Sequence, residues 1–267
     1  KRMKVICVKN GKGGDGKTVF SLNLAALLAK EGKVLLIDTD PRCHSSNFMI
    51  KNENVPVTGT IEKGNLGEWI TGKKSADEVI RKSAFSNLDF IACSDDLDDY
   101  VKELEKKRIM SMAGRNLKEC IEVIEGRYDY VVIDCSQNVT TIDVNVLVAS
   151  DFALIPVKCG LSSMDGCFEM LDWIEQVQTL NPDLDYKIVM NDREKNKEAE
   201  EIENKARGLW NDKVCKTTIR HQSKPLTKSI RTGIPVVYEH RTPSEVKRTT
   251  IADDFINLVK ELTQYGC

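Results

Sequence analysis

The sequence predicts an α/β fold in which a doubly wound, mostly parallel sheet carries helices on both faces. The first observation is a series of short runs, rich in valine and isoleucine, that are apolar at consecutive positions. Such runs are typical of parallel strands that are buried on both faces. The second observation is that stretches with helical periodicity alternate with these runs, as strand–helix–strand units require.

The predicted elements follow one another along the whole chain. The runs expected to be strands are 5–8, 34–37, 88–92, 130–133, 153–157, 187–190 and 214–219. The clearest helical stretches between them are 21–30, 165–180 and 198–209. The last stretch is expected to be a helix that packs on the core. Its apolar face consists of Ile251, Phe255, Leu258, Val259 and Leu262. No linker, repeat or low-complexity segment is evident, so we expect one domain, 1–267.

Composition and charge argue against several classes of function. The net charge of −2 predicts no strong attraction of the whole chain to nucleic acid or membrane, so such binding requires a local patch. The nine cysteines form no C-x-x-C pair, and several lie in apolar runs, which indicates reduced thiols in a cytoplasmic protein. The three histidines are scattered, so a Cys/His metal site is not expected. No apolar run approaches the roughly 18 residues of a membrane span.

The strongest motif is a glycine-rich loop that follows the first predicted strand and opens a helix. Residues 11–18 read GKGGDGKT and fit G-x-x-x-x-G-K-[ST], a phosphate-binding loop. Glycines let backbone N–H groups approach phosphate oxygens closely, and the following helix adds the positive end of its dipole. The ammonium of Lys17 is expected to reach the β- and γ-phosphates of a nucleotide, and the hydroxyl of Thr18 is expected to ligate Mg²⁺.

A dinucleotide site is the competing interpretation of this loop. The same residues fit G-x-G-x-x-G, and Asp38 ends the second predicted strand. Two observations favour a Mg²⁺–nucleotide site. Lys17 and Thr18 have no role in a pyrophosphate turn. In addition, Asp134 ends the run 130–133, where a carboxylate lies beside the phosphate loop and can hold Mg²⁺ through a water molecule.

The loop closely resembles the deviant Walker A motif of the ParA/MinD ATPase family, because a second lysine, Lys12, lies inside it. The resemblance covers nearly the whole chain. Residues 34–41 are similar to the second strand and D-x-D-P motif of that family, 128–135 to its Walker B strand, and 232–236 to its late G-x-P-V segment. It implies a deviant Walker A P-loop fold in which Lys12 reaches across a dimer interface to the nucleotide of a partner subunit.

The resemblance also implies the ligands and the roles of individual residues. The ligands are ATP and Mg²⁺, and the residues expected to act in hydrolysis are Lys12, Lys17 and Asp40, of which Asp40 orients the attacking water. The residues expected at the metal are Thr18, Asp38 and Asp134. The residues expected to contact nucleotide are Gly11, Lys12, Gly13, Gly14, Asp15, Gly16, Lys17, Thr18, Val19 and, at adenine, Asn191.

Three departures from the family pattern fall in loops around this site. Asp15 replaces a small apolar residue, and a carboxylate there weakens triphosphate binding unless it points away or pairs with a cation. Ser136 and Gln137 stand where the family usually has two prolines. Residues 42–43, Arg-Cys, stand where it often has Gln-Gly. The last two departures bear on the hydrolysis rate and on switching by the γ-phosphate.

The implied function is DNA partitioning by a slow ATPase that dimerises on ATP, associates with the nucleoid and is stimulated by a ParB-like centromere-binding partner. The segment 220–231 contains four fixed cations and no acid, which fits a phosphate-backbone patch for sequence-independent DNA binding. The residues expected to bind DNA are Arg220, Lys224, Lys228, Arg231, Lys247 and Arg248.

Two other functions remain open on the sequence. Similar proteins of the MinD kind end in a basic amphipathic helix that binds membrane, whereas the last helix here lacks the cationic enrichment of such an anchor. A metabolic synthetase or kinase that phosphorylates a small carboxylate shares the fold and can share the two-lysine loop. Stimulation of ATP turnover by DNA, liposomes or a metabolite distinguishes the three.

Overall fold

A computed structural model of the chain describes residues 2–51, 63–107, 115–137, 140–238 and 250–266. Its centre is a seven-stranded sheet in the order β3-β4-β2-β5-β1-β6-β7. The strands are β1 (Lys4–Val8), β2 (Val34–Asp38), β3 (Arg81–Lys82), β4 (Leu88–Ile91), β5 (Tyr130–Asp134), β6 (Phe152–Lys158) and β7 (Asp185–Asn191). All neighbours are parallel except β3, which pairs antiparallel with β4 at the edge. The predicted doubly wound sheet is therefore confirmed.

Helices connect the strands and cover both faces of the sheet. They are α1 (Lys17–Leu28), α2 (His44–Ile50), α3 (Leu66–Ile70), α4 (Ala76–Val79), α5 (Leu97–Lys107), α6 (Asn116–Val123), α7 (Thr141–Ala149), α8 (Leu161–Gln178), α9 (Lys197–Trp210), α10 (Ser223–Thr232) and α11 (Ile251–Gln264). Within the described residues, no helix combines the length and the apolar character that a bilayer crossing demands.

Strand register brings three chain segments together at one edge of the sheet. Val8 at the end of β1 is level with Asp134 at the end of β5, and Asp134 is level with Asp38 at the end of β2. Parallel strands in adjacent positions place their carboxyl ends on the same side, where ligands of α/β proteins bind. The phosphate loop, which follows β1, therefore lies beside both carboxylates.

Two apolar cores lie on the two sides of the sheet, which explains why the strands are apolar at consecutive positions. In β1, Cys7 belongs to one core and Ile6 and Val8 to the other. The second core also holds α1 and α11, where the rings of Phe20 and Phe255 meet edge to face at 5.1 Å. All five apolar positions expected on the last helix are buried, so its predicted packing on the core is confirmed.

Two details of the sheet differ from the prediction. The segment 214–219 is not a strand, although the amides of Cys215 and Ile219 donate to carbonyls of β7. Between those contacts, the carboxylate of Glu261 accepts from the amides of residues 216 and 217, at 2.6 and 2.8 Å, and removes them from the ladder. The short antiparallel strand β3 was not predicted, because two polar residues carry no apolar pattern.

Replacing Phe255 by alanine should lower the free energy of unfolding by about 3–5 kcal/mol, because it removes a fully buried ring from the contact between α1 and α11. Urea unfolding followed by circular dichroism measures the loss. Val123→Ala is the control, since that side chain is 77% exposed and its truncation should change stability by less than about 0.5 kcal/mol. Equal effects of the two substitutions would contradict this packing.

Candidate nucleotide site

The phosphate loop joins β1 to α1 in the conformation that glycine permits. Gly14 and Gly16 have φ of 83° and 89°, in the left-handed region, and Gly16 is the residue before α1. Since α1 begins at Lys17, the unpaired N–H groups of its first turn and the positive end of its dipole face the loop. The loop therefore has the geometry of an anion-binding site at a helix N-terminus.

Side chains from neighbouring segments lie close to two glycines of the phosphate loop, Gly13 and Gly16. A Cβ atom at Gly13 would collide with Oε1 of Gln137, which lies in the segment after β5. A Cβ atom at Gly16 would lie 2.7 Å from Nδ2 of Asn191, at the end of β7. Larger residues at these positions would thus push the surrounding loops away from the phosphate loop.

Lys17 is held inside the loop. Its Nζ donates a hydrogen bond to the carbonyl oxygen of Lys12 at 2.7 Å, and the side chain is buried. Burial lowers the pKa of Lys17, and the nearby charge of Lys9 lowers it further. An ammonium bound only to a carbonyl of its own loop is poised to exchange that contact for phosphate oxygens.

The carboxylate of Asp15 points into the protein rather than into the space where the phosphate loop would hold phosphate. Its Oδ2 accepts from Nδ2 of Asn10 at 2.6 Å, and its Oδ1 accepts from Oγ of Ser163 at 2.7 Å. The Nδ2 of Asn191 donates to the backbone carbonyl of Asp15 at 2.9 Å. Burial raises the pKa of Asp15. The departure at this position therefore braces the loop against α8 and β7.

The two strand-end carboxylates are buried side by side, but their surroundings differ. Both oxygens of Asp38 accept hydrogen bonds, from the amide of Asp40 at 3.0 Å and from the amide and hydroxyl of Ser46 at 2.8 and 2.6 Å. Asp134 accepts from Oγ of Ser21 at 2.9 Å, while its buried Oδ2 has no hydrogen-bond partner among the described residues. Burial first, and the neighbouring Asp38 second, raise the pKa of Asp134 to about 7.

These groups fit Mg²⁺. The orphaned Oδ2 of Asp134 is an oxygen ligand of the kind that this hard cation prefers, and the Thr18 hydroxyl is close enough to lower the pKa of Asp134. The described residues contain no cluster of three or more His, Cys, Asp or Glu side chains that would hold a metal alone. Water and phosphate oxygens would complete the coordination. The contacts of Asp38 instead fix the loop after β2.

Lys12 and Asp40 lie on the outer side of the site. The Lys12 side chain is exposed, and a Cβ atom at Gly166 of α8 would lie 3.0 Å from its Cβ. Asp40 is half-buried in the loop after β2, where its Oδ1 accepts from the amide of Arg42 at 3.0 Å. Both side chains are therefore accessible to solvent, as residues that act on nucleotide from outside would have to be.

Sequence reasoning missed a buried ion pair behind the loop. Nζ of Lys9 lies 2.7 Å from Oδ1 of Asp143, and these side chains are only 1% and 0% exposed. The same ammonium donates to the carbonyl of Ser136 at 2.9 Å. One feature of the sequence could have indicated it: Lys9 directly follows the apolar strand β1, so its side chain begins in a buried part of the sheet.

The six basic residues expected to bind DNA fall into three groups. Arg220 forms an ion pair with Asp254 of α11, through Nε at 2.6 Å and Nη2 at 2.7 Å. Three others are exposed on α10: Lys224, Lys228 and Arg231. The remaining two, Lys247 and Arg248, lie outside the described residues. Of the expected DNA contacts, α10 therefore presents three to solvent, whereas the guanidinium of Arg220 is engaged within the fold.

Comparisons with known proteins agree with this geometry. A protein family described as an AAA domain matches residues 3–186. The sporulation initiation inhibitor protein Soj of Bacillus subtilis is 31% identical, over 98% of this chain and 99% of that protein. The chromosome partitioning protein ParA of Caulobacter vibrioides is 30% identical, over 81% and 80%. The ATP complex of Cyanothece McdA has a TM-score of 0.81 at 19% identity, over 98% and 96%, which is a likeness of fold.

Replacing Asp134 by asparagine should stabilise the nucleotide-free chain increasingly as the pH rises from 5 to 8. The ordinary pKa of an aspartate is about 3.9 in the unfolded chain, whereas burial raises that of Asp134 to about 7. Stability is therefore lost as the pH rises towards 7 and this buried carboxylate ionises, and asparagine avoids that loss.

Thermal unfolding at pH 5 and pH 8 measures the difference. The same variant should lose Mg²⁺-dependent ATP binding, because it removes the unpartnered oxygen. A stability difference that does not depend on pH would contradict this account of Asp134. Asp151→Asn serves as a control for ATP binding, since it changes a carboxylate that accepts from the amide of Val5 at 2.8 Å, before β6, and leaves the phosphate loop and both strand-end carboxylates in place.

Proposed function

The chain belongs to the ParA/Soj family of partitioning ATPases, and from this premise we propose that it partitions DNA as an ATP-bound dimer that hydrolysis releases. One observation carries the nucleotide site: the phosphate loop lies beside a buried carboxylate, Asp134, whose Oδ2 has no hydrogen-bond partner in the ranges that the structure describes. A buried oxygen without a hydrogen bond costs stability, and Mg²⁺ at the nucleotide would satisfy it.

The first step of the proposed mechanism is capture of the phosphates. Nζ of Lys17 leaves the carbonyl of Lys12 and binds phosphate oxygens, while backbone N–H groups of the loop and of the first turn of α1 donate to the same ligand. Mg²⁺, when bound with nucleotide, neutralises charge on the β- and γ-phosphates. Asp134 and Thr18 would hold it, and Asn10 and Ser163 keep the carboxylate of Asp15 away.

The second step joins two copies of the chain. Lys12 extends from the exposed side of the loop, so we infer that it contributes its charge to the nucleotide of the facing subunit, as the family resemblance implies. Two lysines in one loop repel each other unless an anion lies between them. A triphosphate shared between subunits supplies that anion, and its loss on hydrolysis weakens the dimer.

Hydrolysis requires a positioned water molecule. We assign that role to Asp40, because it follows Asp38 by two residues in the loop after β2, its side chain is accessible to solvent, and the amide of Arg42 fixes its Oδ1. Oδ1 of Asp38 accepts a hydrogen bond from the amide of Asp40, and this buried contact also fixes the loop after β2. A carboxylate is a modest base, which suits slow turnover that a ParB-like partner accelerates.

DNA binding is assigned to the exposed face of α10. Lys224, Lys228 and Arg231 provide local positive charge on a chain whose net charge is −2. The helix is also joined to α2, because Nζ of Lys51, directly after α2, donates to the carbonyl of Ile230 at 2.9 Å. Movement of the loop between β2 and α2 can therefore be transmitted to this surface.

The membrane alternative lacks comparable support. The apolar face of α11 is buried against α1, with Phe255 and Leu258 each 1% exposed, so it offers no free apolar surface to lipid. An interfacial anchor requires an exposed apolar face together with cations on the polar face. We therefore place the site of polyanion binding on α10.

Asp40→Ala should lower the ATPase rate by about 100-fold, because the water loses its orienting group, while an ATP-dependent dimer persists. Sedimentation with ATP and with ADP, together with phosphate release, measures both effects. The unmodified chain with ADP is the control and should remain monomeric. A strictly monomeric variant at high protein and ATP concentration would contradict the proposed dimer.

Reversing three charges on α10, with Lys224→Glu, Lys228→Glu and Arg231→Glu together, should abolish DNA retention and preserve basal ATPase activity. Each unmodified dimer should show a slope of log K against log salt of about −5, if every protomer contacts about three phosphates. A control variant carries the same change in charge on exposed lysines elsewhere: Lys195→Glu, Lys197→Glu and Lys205→Glu. If the control loses DNA as strongly as the α10 variant, then net charge rather than this helix governs binding.

A further inference from the structure

A buried cation lies directly behind the phosphate loop and is anchored to a helix. Lys9 follows β1, and Asp143 lies in the first turn of α7, with 2.7 Å between Nζ and Oδ1. The other oxygen of Asp143 accepts from the amide and hydroxyl of Thr140, at 2.9 and 2.8 Å, and so caps the helix. The position of Asp143 is therefore fixed by α7, and it fixes the ammonium of Lys9 in turn.

The ammonium also holds the segment that follows β5. It donates to the carbonyl of Ser136 at 2.9 Å, two residues after Asp134. A hydrogen bond from a charged donor in a buried environment is stronger than one between neutral groups. Residues 135–137, which have no proline to restrict their backbone, are thus held by a charge-assisted contact from the residue that follows the neighbouring strand, β1.

This segment reaches the phosphate loop through Gln137. The side chain of Gln137 lies against Gly13, so closely that a Cβ at that glycine would collide with its Oε1. Lys9 therefore acts on the space where phosphate is expected through the segment 135–137.

We propose that Lys9 is a positioning residue that sets the preference for ATP over ADP by holding residues 135–137 against the phosphate loop. The inference rests on the nucleotide site proposed above. A segment held in place meets the γ-phosphate without first losing conformational freedom, whereas a loose segment must be ordered by the ligand. Diphosphate, which would occupy only the deeper part of the loop, gains little from the segment.

The test is a paired neutral replacement, Lys9→Met with Asp143→Asn. Removing both charges avoids leaving one of them buried without a partner, and asparagine keeps an oxygen acceptor for the amide of Thr140. The matched control makes the same two changes at the opposite end of the sheet, Lys82→Met with Asp89→Asn, where Nζ and Oδ2 are 2.6 Å apart.

Competition binding with a fluorescent nucleotide should show that the ADP affinity of the paired variant stays within about twofold while its preference for ATP falls about tenfold. Amide hydrogen exchange at residues 135–137 should become faster in the nucleotide-free variant. The control should retain both the preference and the exchange rates of the unmodified chain.

An unchanged preference for ATP in the folded paired variant, or an equal loss in the control, would overturn the role of Lys9. If the paired variant does not fold, Lys9→Arg keeps the charge but moves the donors, and the preference should fall about threefold; an unchanged preference overturns the proposal in that case too. Failure of the unmodified chain to bind either nucleotide would instead refute the proposed nucleotide site.

Discussion

The burial of charged groups at the carboxyl ends of β1, β2 and β5 is the constraint on which the rest of the structure depends. A charge removed from water is costly unless hydrogen bonds or an opposite charge compensate it. Lys9 has Asp143 and Ser136, and Asp38 has backbone and hydroxyl donors. Asp134 is the exception, since Oδ2 has no hydrogen-bond partner within the described part of the chain. This unmet requirement is the reason that Asp134 is proposed as a ligand of Mg²⁺.

The sequence predicted the framework of this site because its signals are local. The loop 11–18 and the apolar runs before it and before Asp134 are contiguous patterns, and parallel topology is enough to bring them together. The orientation of Asp15 could not be predicted in this way. It depends on Asn10 and on Ser163. Ser163 lies 148 residues away along the sequence, so no local pattern predicts that contact. The loss of the strand at 214–219 likewise depends on Glu261, in a helix that follows much later.

The same limitation applies to the basic segment 220–231. From the sequence we predicted one role, DNA binding, for Arg220 and for the cations of α10. The guanidinium of Arg220 pairs with Asp254, which is buried on α11, so this cation joins the segment before α10 to α11. The exposed cations of α10 remain, and Lys51 connects their helix to the end of α2. Because α2 begins just after the loop that Asp38 and Asp40 fix, the proposed DNA surface contacts the helix that follows the proposed water-binding loop.

The departures from the family pattern therefore differ in what they imply for the reaction. The carboxylate of Asp15 is compensated by two donors and turned away from phosphate, so it affects the stiffness of the loop more than its charge. The segment 136–137 lacks the two prolines that the family usually has there, and the ammonium of Lys9 anchors it at the Ser136 carbonyl. A contact of that kind can be lost and regained as the ligand changes, whereas a proline restricts the backbone permanently. Any adaptation of the switching rate in this chain is therefore expected to reside in residues 136–137 and in the lysine behind them, rather than in the phosphate loop itself.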